Sequence, residues 1–95
     1  MTDLDIACRR APDRTDWICD VTVDVQGGAR TEHRVTVAAP DLARLNPTAR
    51  DPHLLVDRSF RFLLEREPNT SILRSFDLME IGRYFPEFEA TIRSS

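Results

Sequence analysis

The chain has 95 residues, 41% apolar and 31% charged, with a net charge of −3. That size and balance predict one globular domain over residues 1–95 around a single small core, and exclude a disordered chain or two separate cores. The dispersed acids leave no long-range field to draw nucleic acid or an anionic membrane surface, and no apolar run approaches the roughly 20 residues that span a bilayer.

The opening stretch Met1-Thr2-Asp3-Leu4-Asp5 is acidic where a signal peptide would be basic, so a cytoplasmic protein is expected. Leu4, Ile6 and Cys8 alternate with mostly polar positions, as do Trp17, Cys19, Val21, Val23 and Val25. This period of two marks half-buried strands over about 3–10 and 16–26. With a turn at Pro12-Asp13-Arg14-Thr15, Cys8 falls opposite Cys19, Ile6 opposite Val21 and Leu4 opposite Val23, all on one face.

Gly27-Gly28 marks the next turn. A two-residue turn there would put Val35 and Val37 on the face opposite Val21 and Val23, so an odd-length loop or a glycine bulge is expected. A register with Asp24 opposite Arg34 and Thr22 opposite Thr36 gives favourable outer-face pairs and a third strand over about 31–38. The outer face, with Asp3, Asp5, Asp20, Asp24 and Glu32, has no aromatic side chain for a base to stack on and is a poor RNA platform.

Ala39–Leu45 fits one helical turn whose Leu42 and Leu45 plug an end of the core, and Asn46–Arg50 is a linker. The dominant element follows, a central helix over 51–67. Asp51 can accept from first-turn amides, Pro52 suits the first helical position, and Pro68 ends the run. Leu55, Val56, Ser59, Phe60, Phe62, Leu63 and Leu64 fan over roughly 200° of the wheel, about twice an ordinary apolar stripe. One sheet cannot cover that arc, so the helix is expected between a sheet and a second cover, either more chain or another copy. Asp57, Arg61 and Glu65 at i,i+4 steps form the solvated side.

Ser71–Phe76 shows no decisive period. Asp77, with Glu80 three residues on, is a capping pair opening a helix through about Phe85. Leu78, Ile81 and Phe85 share a face that Phe88 and Ile92 continue beyond Pro86, which makes this tail the first candidate for the second cover.

The run Ser59-Phe60-Arg61-Phe62-Leu63-Leu64-Glu65-Arg66-Glu67-Pro68, with Ser71-Ile72-Leu73, Phe76-Asp77-Leu78, Ile81 and Tyr84-Phe85-Pro86-Glu87-Phe88, resembles a group of short uncharacterised bacterial proteins. That resemblance implies no activity and no site residue. In topology alone the βββα order resembles HicB-type antitoxins and double-stranded-RNA-binding domains, although Asp51-Pro52-His53 stands where the latter present lysines.

Chemistry-bearing groups are few. Cys8, Cys19 and His33 face inward, but His33 is expected near Val23 or Val25, at least four residues along from Cys19 and beyond about 13 Å at strand rise. A buried pair of free thiols is expected, bridged only where oxidant reaches it. Neither histidine pairs with a nucleophile, Glu65 and Glu67 diverge around the helix, and the glycines open no phosphate-binding helix. No cofactor, metal or catalytic residue is therefore assigned, and the chain is not expected to be an enzyme.

Arg9, Arg10 and Arg14 form a weak basic cluster interleaved with Asp13 and Asp16. Phe60, Leu64, Tyr84, Phe85 and Phe88 form a candidate interaction surface, either for an unknown protein or for a homodimer through Phe60, Leu64, Phe85 and Phe88. The expectation is an α+β fold, a three-stranded antiparallel meander followed by the central helix and a short C-terminal helical segment, serving as a small binding or assembly module of a bacterial cytosol. A nucleic-acid-associated regulator acting through Arg9, Arg10, Arg14 and Arg74 is the alternative, and a small enzyme the third.

Overall fold

A computed structural model describes residues 2–12 and 15–93. Strands β1 (Thr2–Arg10), β2 (Trp17–Val25) and β3 (Arg30–Val37) form the expected meander, followed by helices α1 (Ala39–Leu45) and α2 (His53–Leu64). A fourth strand, β4 (Ser75–Asp77), then joins the sheet, and helices α3 (Ile81–Tyr84) and α4 (Phe88–Arg93) close the chain. The fold is α+β, but the sheet has four strands in the order β1-β2-β3-β4, the last parallel to β3 rather than part of a three-stranded antiparallel sheet. Among the described residues no helix is long and apolar enough to cross a membrane.

Polarity sets the first pairing. Cys8 stands opposite Cys19, Ile6 opposite Val21 and Leu4 opposite Val23, and Thr2, Leu4, Ile6 and Cys8 of β1 are half-buried while Asp3, Asp5 and Arg9 are exposed. The centre of the joining turn, Asp13 and Arg14, lies outside the described residues. The expected free thiols are instead a disulfide, Cys8–Cys19. Ala11 N donates to Asp16 O at 2.9 Å, which makes every second pair along the ladder, Cys8 and Cys19 among them, a non-hydrogen-bonded pair. At such a position the strands approach most closely, and here the two Cα atoms are 4.0 Å apart.

The second hairpin has the odd loop that parity requires, but a shorter one than the expected register needs. Gly28 N donates to Val25 O at 2.8 Å, and Gly27 takes φ 78°, where a side chain would be strained. Asp24 consequently faces Arg30, not Arg34, and Thr22 faces Glu32, not Thr36. Arg34 still meets an aspartate, Asp20. Both registers satisfy the same Asp–Arg rule, and the tighter loop costs less closure entropy while extending the ladder. The shift also brings His33 opposite Val21 rather than beside Val23 or Val25.

Helix α2 is shorter than expected at both ends. Asp51 Oδ1 accepts from His53 N at 2.9 Å, so the acid does serve the first turn, but helical geometry begins only after Pro52. At the far end Arg66 N and Glu67 N both fold back on Leu63 O at 2.9 Å, turning the chain one turn before Pro68. Along the buried arc, Ser59 Oγ donates to Leu55 O at 2.7 Å and so enters the core satisfied.

Both flanks of α2 are covered. On one, the Phe60 ring lies 5.4 Å from His33 of β3 and 6.1 Å from Phe76 of β4. On the other, two residues and about 200° round the helix, Phe62 meets the edges of Phe85 at 5.9 Å and Phe88 at 5.2 Å. The second cover is therefore the C-terminal tail. Leu42 and Leu45 of α1 close an end of the core as expected, and Arg44 ties α1 to Glu89 of α4.

Two outcomes follow. Phe88→Ala is expected to cost about 3–5 kcal/mol in denaturant unfolding, because it strips the second cover from α2; a loss below about 1 kcal/mol would mean that the tail is an appendage. Reducing Cys8–Cys19 is expected to remove roughly 2–3 kcal/mol, from the short loop it closes in the unfolded chain, read as a lower denaturation midpoint.

Candidate functional site

The segment from the end of α2 to α3 builds a groove of about 360 Å³. Its floor is Leu63, Ile72, Phe76 and Ile81, with Leu73, Tyr84 and Phe85 at the sides. Three large apolar side chains of the described residues stand exposed, and two of them belong here: Leu73 at 47% and Tyr84 at 69%. Glu67 and Glu80 are the charged residues of the lining, and no arginine joins them. Glu80 Oε2 accepts from Asp77 N at 3.1 Å while Asp77 Oδ1 accepts from Met79 N at 2.9 Å, the reciprocal capping read from sequence. It opens a 3₁₀ turn, Leu78–Glu80, from which α3 continues.

The groove wall is fixed to the sheet by a buried polar relay. Asn69 Nδ2 donates to Ala29 O at 2.9 Å and to Thr31 Oγ1 at 3.0 Å. Thr31 Oγ1 lies 2.8 Å from His33 Nε2, and His33 Nδ1 lies 2.7 Å from Leu73 O. Leu73 O can only accept, so Nδ1 carries a proton and donates to it, while the Thr31 hydroxyl pairs with Nε2 and accepts from Asn69. Every buried polar side-chain atom of the relay thus has a partner. Arg34 N donates to Arg74 O at 2.7 Å, extending the same attachment to β4. His33 is in this way a strut for the groove, and the two cysteines weighed with it as metal ligands are bonded to each other. Among the described residues no three His, Cys, Asp or Glu side chains are grouped to hold a metal ion.

The expected interaction surface is only partly a surface. Phe60 and Phe88 are fully buried and Leu64 and Phe85 half-buried, so these four side chains, expected as a homodimer face, present no exposed apolar face. The tail serves instead as the second cover of α2. Tyr84 alone of the five is exposed, and Phe85 shares its groove. Sequence reasoning missed Leu73, Glu67 and Asn69, because they sit in or beside a stretch too short for any periodicity to show.

The basic cluster is largely engaged. Arg9 bridges to Asp20 at 2.7 Å, and Asp20 also accepts from Arg34 Nε at 2.9 Å. Arg10 lies over the Trp17 ring, 4.6 Å from its centroid, and Arg14 is outside the described residues. The Arg34 guanidinium, then that of Arg9, holds the Asp20 carboxyl below its ordinary range. A lowered folded value means a stabilisation present above the unfolded pKa of about 3.9 and lost as pH falls through the folded value. Because the Asp20 side chain is 43% exposed, the expected magnitude is small: Asp20→Asn should cost about 0.5–1 kcal/mol at pH 7. The gap to the parent should close below roughly pH 4 in pH-resolved thermal unfolding.

No protein-family model, curated protein or solved structure matches this chain.

Proposed function

We propose that the chain is a small non-catalytic binding module whose groove between α2, β4 and α3 takes a short apolar segment of a partner protein carrying an arginine or lysine. What supports this is the coincidence of Leu73 and Tyr84, both exposed, on an apolar floor edged by Glu67 and Glu80. Exposed aromatic and aliphatic side chains over a preformed cleft anchor peptides well, and two carboxylates beside them favour a cation over an anion. The relay through Asn69, Thr31 and His33 holds the wall in place before binding, which lowers the ordering cost of association. The regulator reading has weaker support, since Arg9 and Arg10 are already engaged and the outer sheet face carries exposed Asp3, Asp5, Asp24 and Glu32.

The setting need not be a bacterial cytosol. A reducing cytoplasm would keep Cys8 and Cys19 as thiols, and their bond fits a compartment that oxidant reaches. The groove draws on neither residue.

Selection of random peptides on the folded protein is expected to enrich sequences that join an aromatic or aliphatic residue to an arginine or lysine. The double variant Leu73→Ser/Tyr84→Ser should weaken the selected peptides by about tenfold or more with little change in thermal midpoint. Glu67→Gln/Glu80→Gln, which leaves an acceptor for the cap, should weaken them a few-fold, more strongly at low salt. Failure to enrich such sequences, or undiminished binding to the first variant, overturns the reading.

A further inference from the structure

The opposite edge of the sheet poses a separate question. Strand β1 is nine residues long and forms a sheet edge. Its ladder to β2 runs without interruption from Thr2 to Arg10, so it has no bulge; it contains no proline, and its one charge of inward parity, Arg10, sits at the last position over the Trp17 ring, clear of Leu4, Ile6 and Cys8. These are the usual devices that stop an edge from pairing with another strand. Since Cys8–Cys19 is a non-hydrogen-bonded pair, the odd residues of β1 spend their backbone groups on β2, and the N–H and C=O of Leu4, Ile6 and Cys8 point away from the sheet. Outside the strand ladder no backbone bond to these groups is made among the described residues.

Charge says what fits there. Across the outer face runs an alternating row, Arg34 to Asp20 at 2.9 Å and Asp20 to Arg9 at 2.7 Å, which stops at the edge on a cation. At the other end of the same strand Asp3 stands directly opposite Asp24, a like-charge pair, and Asp5 lies two residues on. Neither Asp3 nor Asp5 has an ion pair among the described residues. The strand is thus acidic at its start and basic at its end. Turned antiparallel on itself, it is its own complement.

We propose that two copies of this chain pair edge to edge through β1, antiparallel about a two-fold axis at Ile6. Full overlap of Thr2–Arg10 sets Ile6 opposite Ile6, Leu4 opposite Cys8 and Asp3 opposite Arg9 of the other copy. In that register the outward backbone groups of Leu4, Ile6 and Cys8 exchange hydrogen bonds, because all three have the parity of hydrogen-bonded positions. Their half-buried side chains stay on the core face. Each Arg9 gains Asp3 of the other copy beside its own Asp20, extending the alternating row across the joint, and each Asp3 gains a counter-charge against Asp24. The two four-stranded sheets become one continuous sheet closed by isologous symmetry. The proposal does not depend on the groove, which lies beyond β3 and is untouched by it.

Sedimentation of the full chain is expected to show a dimer at roughly 100 µM. Amide exchange should slow at Leu4, Ile6 and Cys8 as concentration rises, while Asp5 and Ala7, already bonded to β2, should not respond. Asp3→Arg alone and Arg9→Asp alone should each weaken dimerisation by about tenfold or more, because each homodimer then sets like charges opposite one another twice. An equimolar mixture of the two variants should recover a dimer as tight as the parent, since every position 3 again meets an opposite charge at position 9. A parent that stays monomeric at several times that concentration, exchange at Leu4, Ile6 and Cys8 that ignores concentration, or a mixture that does not recover would each overturn the proposal.

Discussion

Helix α2 has too much apolar surface to be hidden from one side. Phe60 and Phe62 leave the helix in nearly opposite directions, and each needs a dry environment. The sheet supplies one through His33 and Phe76, and the tail supplies the other through Phe85 and Phe88. The remaining architecture follows from that demand. The chain must leave α2 abruptly, pass back along β3 and then cross to the far flank, so β4, α3 and α4 come in that order. Arg66 marks the junction: its guanidinium lies 3.5 Å from the centroid of the Phe62 ring and donates to Phe62 O at 3.0 Å and Glu87 Oε2 at 3.2 Å. One side chain there satisfies an orphan carbonyl of the helix end, covers an aromatic face and holds the start of the last helix.

The groove is a by-product of the same geometry. Where the chain crosses from the sheet flank to the tail flank it cannot pack tightly against both, and Leu73 and Tyr84 are left at the margin. What makes the margin a defined shape is the polar relay beneath it. Asn69, Thr31 and His33 are satisfied only with the 69–73 segment in this one position, so a buried polar cluster specifies the wall more sharply than apolar contact would.

Alternation of apolar and polar residues was enough to read the β1–β2 register, because a slip of one residue would turn Leu4, Ile6 and Cys8 outward. The breadth of α2 was readable too, along with the need for a second cover. Other features were not local enough to be read. The β2–β3 register had two solutions with equivalent Asp–Arg pairs, and loop length chose between them. Strand β4 has three residues, fewer than any period can show, and owes its existence to the far side of β3. The oxidation state of the Cys8–Cys19 pair lies in the surroundings, although their opposition was legible. Much of the groove falls in the stretch without a pattern, which is why Leu73 went unseen while Phe60, conspicuous in the sequence, proved to be core.

Strand β3 joins partners of very different reach. On one side lies β2, a tight loop away; on the other lies β4, and the bond from His33 to Leu73 O spans 40 residues. Such distant contacts form late, because their loop must close before any contact rewards it. As the chain leaves the ribosome, the meander can zip while the outer side of β3 waits, unpaired and flanked by Val35 and Val37, for β4 to arrive. A nascent chain stalled before β4 would therefore present the whole eight-residue outer side of β3 as an edge where the finished sheet ends on three-residue β4, and the interval before the last third emerges is when this protein is most exposed to joining the wrong neighbour.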